Sequence, residues 1–140
     1  MITGMPRSLV ILACVAIGGA IGAMARHGVS LVIVPRAEGP RWPATLAVNL
    51  LGCLLIGVLW RVMEHHATSA TMRALVITGI LGGFTTFSAF GLDVLELLEG
   101  RRAGLAALYV GASVGAGVLL LKLGHDLTGA LLGATAAAGE

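Results

Sequence analysis

The sequence predicts an all-α membrane protein of four transmembrane helices, with the third broken mid-membrane. Three observations carry that prediction. Of the 140 residues, 57% are hydrophobic and 11% charged, against roughly 25% charged in soluble domains. Four charge-free runs, 8–25, 42–60, 74–92 and 103–121, hold 18, 19, 19 and 19 residues, close to the ~20 that cross a ~30 Å hydrocarbon core. The third run contains two adjacent glycines, Gly82 and Gly83, and then the hydroxyls of Thr85, Thr86 and Ser88. Glycine loosens a helix and β-branched threonine fits it poorly. In lipid, a helix breaks only where protein or a wet cavity covers the freed backbone. The stretch therefore reads as a polar site built at an interruption inside a helix bundle. A chain of this length forms one domain, 1–140.

Helix 1 is expected over 8–29. Gly18 and Gly22 lie four apart on one face, a spacing that lets helix backbones approach in lipid. Arg26 follows one turn later. It is either an anchor reaching the interface or a positive charge at the mouth of a pore. Ala23-Met24-Ala25 resembles a signal-cleavage site, but the run is long for a signal, and Arg26 stops it as a helix end would. The connection 35–43 contains Pro35, Gly39, Pro40 and Pro43 and reads as a loop.

Helix 2 is expected over 43–60, with Pro43 in its first turn and Trp42 and Trp60 at the two interfaces. Thr45 and Asn49 share one face. Asn49 is the only amide side chain in the sequence. It either glues the bundle through an interhelical hydrogen bond, worth roughly 1 kcal/mol, or lines a pore as a donor. Residues 61–73, with Glu64, His65 and His66, read as a solvated loop, and no third ligand suggests a metal there. Cys14 and Cys53 lie mid-run as small hydrophobes.

Helix 3 is expected over 74–98 with the break at 82–86. Phe87 and Phe90 share a face beyond it. Asp93 and Glu96 continue that spacing, either where the helix leaves the membrane or as carboxylates in a vestibule. Helix 4 is expected over 103–122, with Tyr109 and Ser113 forming a hydroxyl stripe. The apolar tail 127–139 is too short to span and is expected to fray.

Basic residues are nearly balanced across the membrane. Arg7, Arg61, Arg73 and Lys122 fall on one side, and Arg26, Arg36, Arg41, Arg101 and Arg102 on the other. An excess of such residues normally fixes orientation. The balance predicts dual topology and an antiparallel homodimer with its axis in the membrane plane, with a parallel dimer left open.

The groups inside the spans are one amide, several hydroxyls and aromatic rings. Such a lining suits an ion that is hydrogen-bonded without being held, as conduction requires. Ring edges carry partial positive charge, so Phe87 and Phe90 either meet an anion edge-on or simply pack. No nucleotide site, nucleophile or catalytic dyad is visible, so the chain is not expected to be an enzyme or to bind nucleic acid.

Four stretches resemble the Fluc, or CrcB-like, family of fluoride channels. They are GGAIGAMAR at 18–26, TLAVNLLG at 45–52, GGFTTFSAF at 82–90, and the Tyr109/Ser113 pair. They occur in the family's order, one per helix. The resemblance implies a bacterial plasma- or inner-membrane channel that passively exports fluoride and lowers its toxicity. It implies an antiparallel dimer with two fluoride pathways. Phe87 and Phe90 match the family's pore-lining phenylalanines, and Asn49 its pore-facing asparagine. Thr45, Thr86, Ser88, Tyr109 and Ser113 supply hydroxyls, and Arg26 matches the family arginine. A structural sodium ion at the dimer centre is implied on the backbone carbonyls of Gly82 and Thr85. The chain departs from many members at Ala89, where they carry a hydroxyl. The alternative is a small multidrug-type proton-coupled exporter, which needs a carboxylate near the membrane centre. Asp93 is its only candidate. A structural subunit of a larger membrane complex is the third reading.

Overall fold

The computed structural model describes residues 6–34 and 39–138, with side chains as far as 135. Among them are four helical spans long and apolar enough to cross a membrane: Arg7–Ile33, Trp42–His65, Ala70–Glu99 and Ala103–Thr135. No strand occurs among the described residues. Helix α1 is Arg7–Ile33 and α2 is Trp42–His65. The third span comprises α3, residues 70–84, and α4, Phe87–Glu99. Helix α5 is Ala103–Ala138.

Every helix overruns the expected charge-free limits, for local reasons. Helix α2 continues past Trp60 to His65, so Arg61, Glu64 and His65 are helical rather than looped. The Trp60 indole Nε1 donates to Glu64 Oε1 at 2.7 Å, and Arg61 Nη1 lies 3.6 Å from Glu64 Oε2. Such i,i+3 and i,i+4 pairs support a final turn at the interface. Ser69 then caps α3 by accepting the Met72 N–H. Helix α5 runs on where a fraying tail was expected, through 138. Its last turns are rich in alanine and leucine, strong helix formers. They also have a partner, because a Cβ on Gly129 would sit 3.0 Å from Nε of Arg61 on the extended α2.

The bundle is two close pairs, α1 with α3 and α2 with α5. With lipid as apolar as leucine, helices associate by close packing rather than by hydrophobic exclusion of water. Glycine makes that approach possible at both crossings. A Cβ at Gly22 would collide with the Ile80 carbonyl oxygen, and one at Gly57 with that of Leu121. The GGAIG stretch is thus the surface on which the first half of span three lies. Tyr109, Ala106 and Leu97 form the buried centre, with Trp42, Leu46 and Phe90 packed against it. Cys14 and Cys53 are free thiols, only half-buried.

Helix α3 is itself unusual. Its middle, Ala74–Leu81, is π-helical, a rare winding that clusters at functional sites. Gly82 and Gly83, expected to open the break, are helical. The extended residues are Thr85 (φ −80, ψ 157) and Thr86 (φ −151, ψ 122). Threonine favours β-region dihedrals, whereas adjacent α1 backbone holds the glycines in the helix: a Cβ at Gly83 would come 2.5 Å from the Gly19 carbonyl oxygen.

Candidate ion pathway beside residues 85 and 86

Two extended residues between helices leave backbone groups in need of partners. The last carbonyls of α3 and the first N–H groups of α4 have none within their own helices. Leu81 O receives both the Thr85 N–H and the Thr85 hydroxyl, each at 2.9 Å. Gly83 O receives Arg26 Nε at 3.2 Å. Asn49 serves both polar groups of Thr86. Its Nδ2 donates to Thr86 O at 3.0 Å, and its Oδ1 accepts the Thr86 N–H at 2.9 Å. Thr86 Oγ1 accepts the Ala89 N–H at 3.2 Å and so caps α4.

These bonds divert two donors. In an unbroken helix the Thr86 N–H would serve the Gly82 carbonyl, and the Ala89 N–H that of Thr85. Both go to side chains instead, leaving the Gly82 and Thr85 carbonyls without their helical donors.

An aromatic ladder runs inward from the same place. Phe87 is 83% exposed, and its ring centroid lies 5.5 Å from that of Phe90. Phe90 lies 5.1 Å from Tyr109, and Tyr109 5.8 Å from Trp42. The Tyr109 hydroxyl donates to Asp93 Oδ2 at 3.0 Å, and both residues are buried. Asp93 is therefore buried inside the protein, against Tyr109. The spacing with Phe90 that suggested a shared face was the usable signal, since both residues meet Tyr109.

The remaining sequence candidates are placed as follows. Ser88 Oγ lies 3.3 Å from Thr86 Oγ1. Thr45 is buried, with Oγ1 at 3.5 Å from Arg41 O, a long contact. Ser113 Oγ is buried and has no hydrogen-bond partner among the described residues. Arg26 is not simply an interface anchor, since its Nε caps α3.

A cavity of about 400 Å³ opens beside the break, lined in part by Arg26, His27, Arg41, Thr45, Thr86 and Asp93. A second, of about 220 Å³, shares Arg41 and Asp93 and adds Glu96 and Arg102. Asn49 joins the first through Thr86, whereas Phe87, Phe90, Tyr109 and Ser113 do not line it. Sequence reasoning missed His27 and Arg41. Arg41 stands four residues before Thr45 and His27 directly after Arg26, which is the only sequence signal for either. No cluster of three His, Cys, Asp or Glu side chains suited to a metal occurs among the described residues.

The arrangement offers neutral donors, ring edges and a basic-lined cavity beside freed backbone. The chain as a whole is similar in sequence to known proteins. The family described as CrcB-like protein, Camphor Resistance, matches residues 13–125. A Methylobacillus flagellatus protein named fluoride-specific ion channel FluC is 44% identical over 115 residues, 81% of this chain and 90% of that one. Its namesake in Cereibacter sphaeroides is 48% identical over 111 residues, covering 79% and 87%. That in Thermus thermophilus is 42% identical over 120 residues, covering 85% and 95%. The match takes in all four spans and both sides of the interruption, and the chain accordingly belongs to the CrcB-like family of multi-pass membrane proteins.

Proposed function

We propose that the protein is a passive, fluoride-selective channel. Hydrogen fluoride crosses membranes as the neutral acid and dissociates in a more alkaline cytoplasm, and the channel returns the trapped anion down its electrical gradient. The observation that carries this reading is the double hydrogen bond of Asn49 to Thr86, which holds span three open beside Phe87 and Phe90. A strongly hydrated anion needs donors that replace its water, yet a full positive charge in the hydrocarbon centre would retain it. Here the guanidinium of Arg26 is engaged by a carbonyl. Nothing in this scheme is chemically transformed, so the protein is not an enzyme.

The working unit is an antiparallel homodimer inserted with dual topology. The near-even split of the nine basic residues supports it. So does Phe87, whose ring, 83% exposed in a single chain, is covered once a second copy packs on α4. Each pathway then uses both subunits. The diverted Gly82 and Thr85 carbonyls fit a structural sodium ion, since hard cations take oxygen ligands. Gly82 and Thr85 would hold it through backbone oxygens; when bound, it offsets the carbonyl dipoles where the two broken helices meet. The Asn49 amide oxygen and the Thr86 hydroxyl take the N–H donors that a continuous helix would give those oxygens.

The decisive experiment is fluoride efflux from liposomes holding purified protein, with chloride as control. Fast fluoride loss with chloride retained is expected. Equal leakage of both, or of neither, overturns the reading.

A further inference from the structure

The second cavity, of about 220 Å³, has no part in conduction as proposed, yet charged side chains of both signs face it. Arg41 and Trp42 line it from the start of α2, Glu96 from the end of α4, and Arg102 from the connection to α5. The spans fix its depth. Span two starts at Trp42, span three ends at Glu99, and span four starts at Ala103. Arg41 and Arg102 therefore lie just outside the helices that cross the lipid, at the level of the phospholipid headgroups, where tryptophan is enriched. That placement holds for either insertion of the chain. Among the described residues, none of Arg41, Arg102 and Glu96 is in an ion pair. Asp93, the other charged group lining the space, is buried and takes the Tyr109 hydroxyl. Two positive side chains and one negative thus border one space without neutralising one another. Its volume is far above the ~10–15 Å³ that one water needs.

We propose that this cavity binds the headgroup of a zwitterionic phospholipid with a primary ammonium, phosphatidylethanolamine being the common one. Its phosphate sits between Arg41 and Arg102, whose planar guanidinium groups suit phosphate oxygens. Its ammonium donates to Glu96, and Trp42 supplies an apolar wall. Basic pockets between membrane helices hold lipid headgroups in this manner. A purely anionic headgroup satisfies the arginines but sets negative charge against Glu96. A choline headgroup has no N–H to donate to that carboxylate. The inference needs a membrane-spanning chain and not a fluoride channel, so it stands whatever the pathway conducts.

The test is native mass spectrometry of delipidated full-length protein in detergent. It is titrated with phosphatidylethanolamine, phosphatidylglycerol and phosphatidylcholine of identical short acyl chains, and with inorganic phosphate. Saturable binding is expected to be tightest for phosphatidylethanolamine. Arg41→Gln and Arg102→Gln should each weaken it about five-fold, as loss of one cation near a lipid phosphate does. Glu96→Gln should erase the advantage over phosphatidylglycerol. Arg61→Gln, at the other end of α2, should bind like wild type. The same spectra report whether each variant keeps the wild-type assembly mass; if Arg41→Gln does not, Arg102→Gln and Glu96→Gln carry the test. Equal affinity for the three lipids, or a preference that survives in Glu96→Gln, overturns the inference. Inorganic phosphate binding as tightly as the lipid rejects the lipid as its source. Absence of saturable binding, as when a second copy fills the space, also overturns it, and none of these results touches the channel reading.

Discussion

Asn49→Ala is the sharpest perturbation of the break. The amide spans 2.9 Å to the Thr86 N–H and 3.0 Å to the Thr86 carbonyl. Removing it leaves one backbone donor and one acceptor without their partner. An unsatisfied buried group costs about 1–3 kcal/mol; these two are part-buried, so the native geometry of residues 85–86 loses about 2 kcal/mol, the lower end of the combined range. That figure exceeds the 1.4 kcal/mol that is about ten-fold in a population. The break is then expected to relax, either by helix reforming across Thr86 toward Gly82 or by local disorder. Fluoride efflux from liposomes should fall by at least about ten-fold, and the melting temperature in detergent should drop. Asn49→Asp isolates the donor. Its carboxylate still accepts the Thr86 N–H but faces the Thr86 carbonyl without a hydrogen, and it places an anion beside the path. It should block conduction with a smaller loss of stability than Asn49→Ala. If Asn49→Ala melts and conducts like wild type, the double hydrogen bond is not what holds the span open, and the argument fails at its base.

Three further outcomes follow from the packing and the site. Phe87→Ile and Phe90→Ile keep bulk but remove ring edges, and should lower efflux while size-exclusion chromatography still reports the same assembly; unchanged flux would end the aromatic role. Gly22→Ala drives a methyl into the Ile80 carbonyl, at about 1–3 kcal/mol for overpacking. Gly111→Ala meets nothing within 4 Å and should melt like wild type, so equal melting of the two variants would contradict the crossing described. Asp93→Asn retains an acceptor for the Tyr109 hydroxyl and should leave most fluoride flux, whereas a proton-coupled exporter with Asp93 as its carboxylate would stop transporting.

How much was legible beforehand differs by residue. The four spans follow from composition, because hydrocarbon rejects charge whatever the tertiary fold. Span ends were misjudged where charged side chains pair within a helix: Glu64 sits inside α2 because Trp60 and Arg61 reach it. Lys122 was taken as the end of the last helix, yet it lies 2.7 Å from Asp126 within it. The apolar tail continues as helix through its alanine and leucine content, which is legible locally, and because the lengthened α2 lies beside it, which is not.

Sequence alone determined that this chain lives in a membrane, that four helices cross it, and that its third span carries polar groups out of keeping with lipid. Those are properties of residues taken with their solvent and near neighbours. Only the tertiary structure decided where the polar ends go: Asn49 to Thr86, Arg26 to Gly83, Tyr109 to Asp93. Those partners stand 37, 57 and 16 residues apart, and helical periodicity fixes only which residues share a face of one helix. Which face meets which neighbour is set by how closely two backbones can approach. In this bundle small residues such as Gly22 and Gly57 decide that approach.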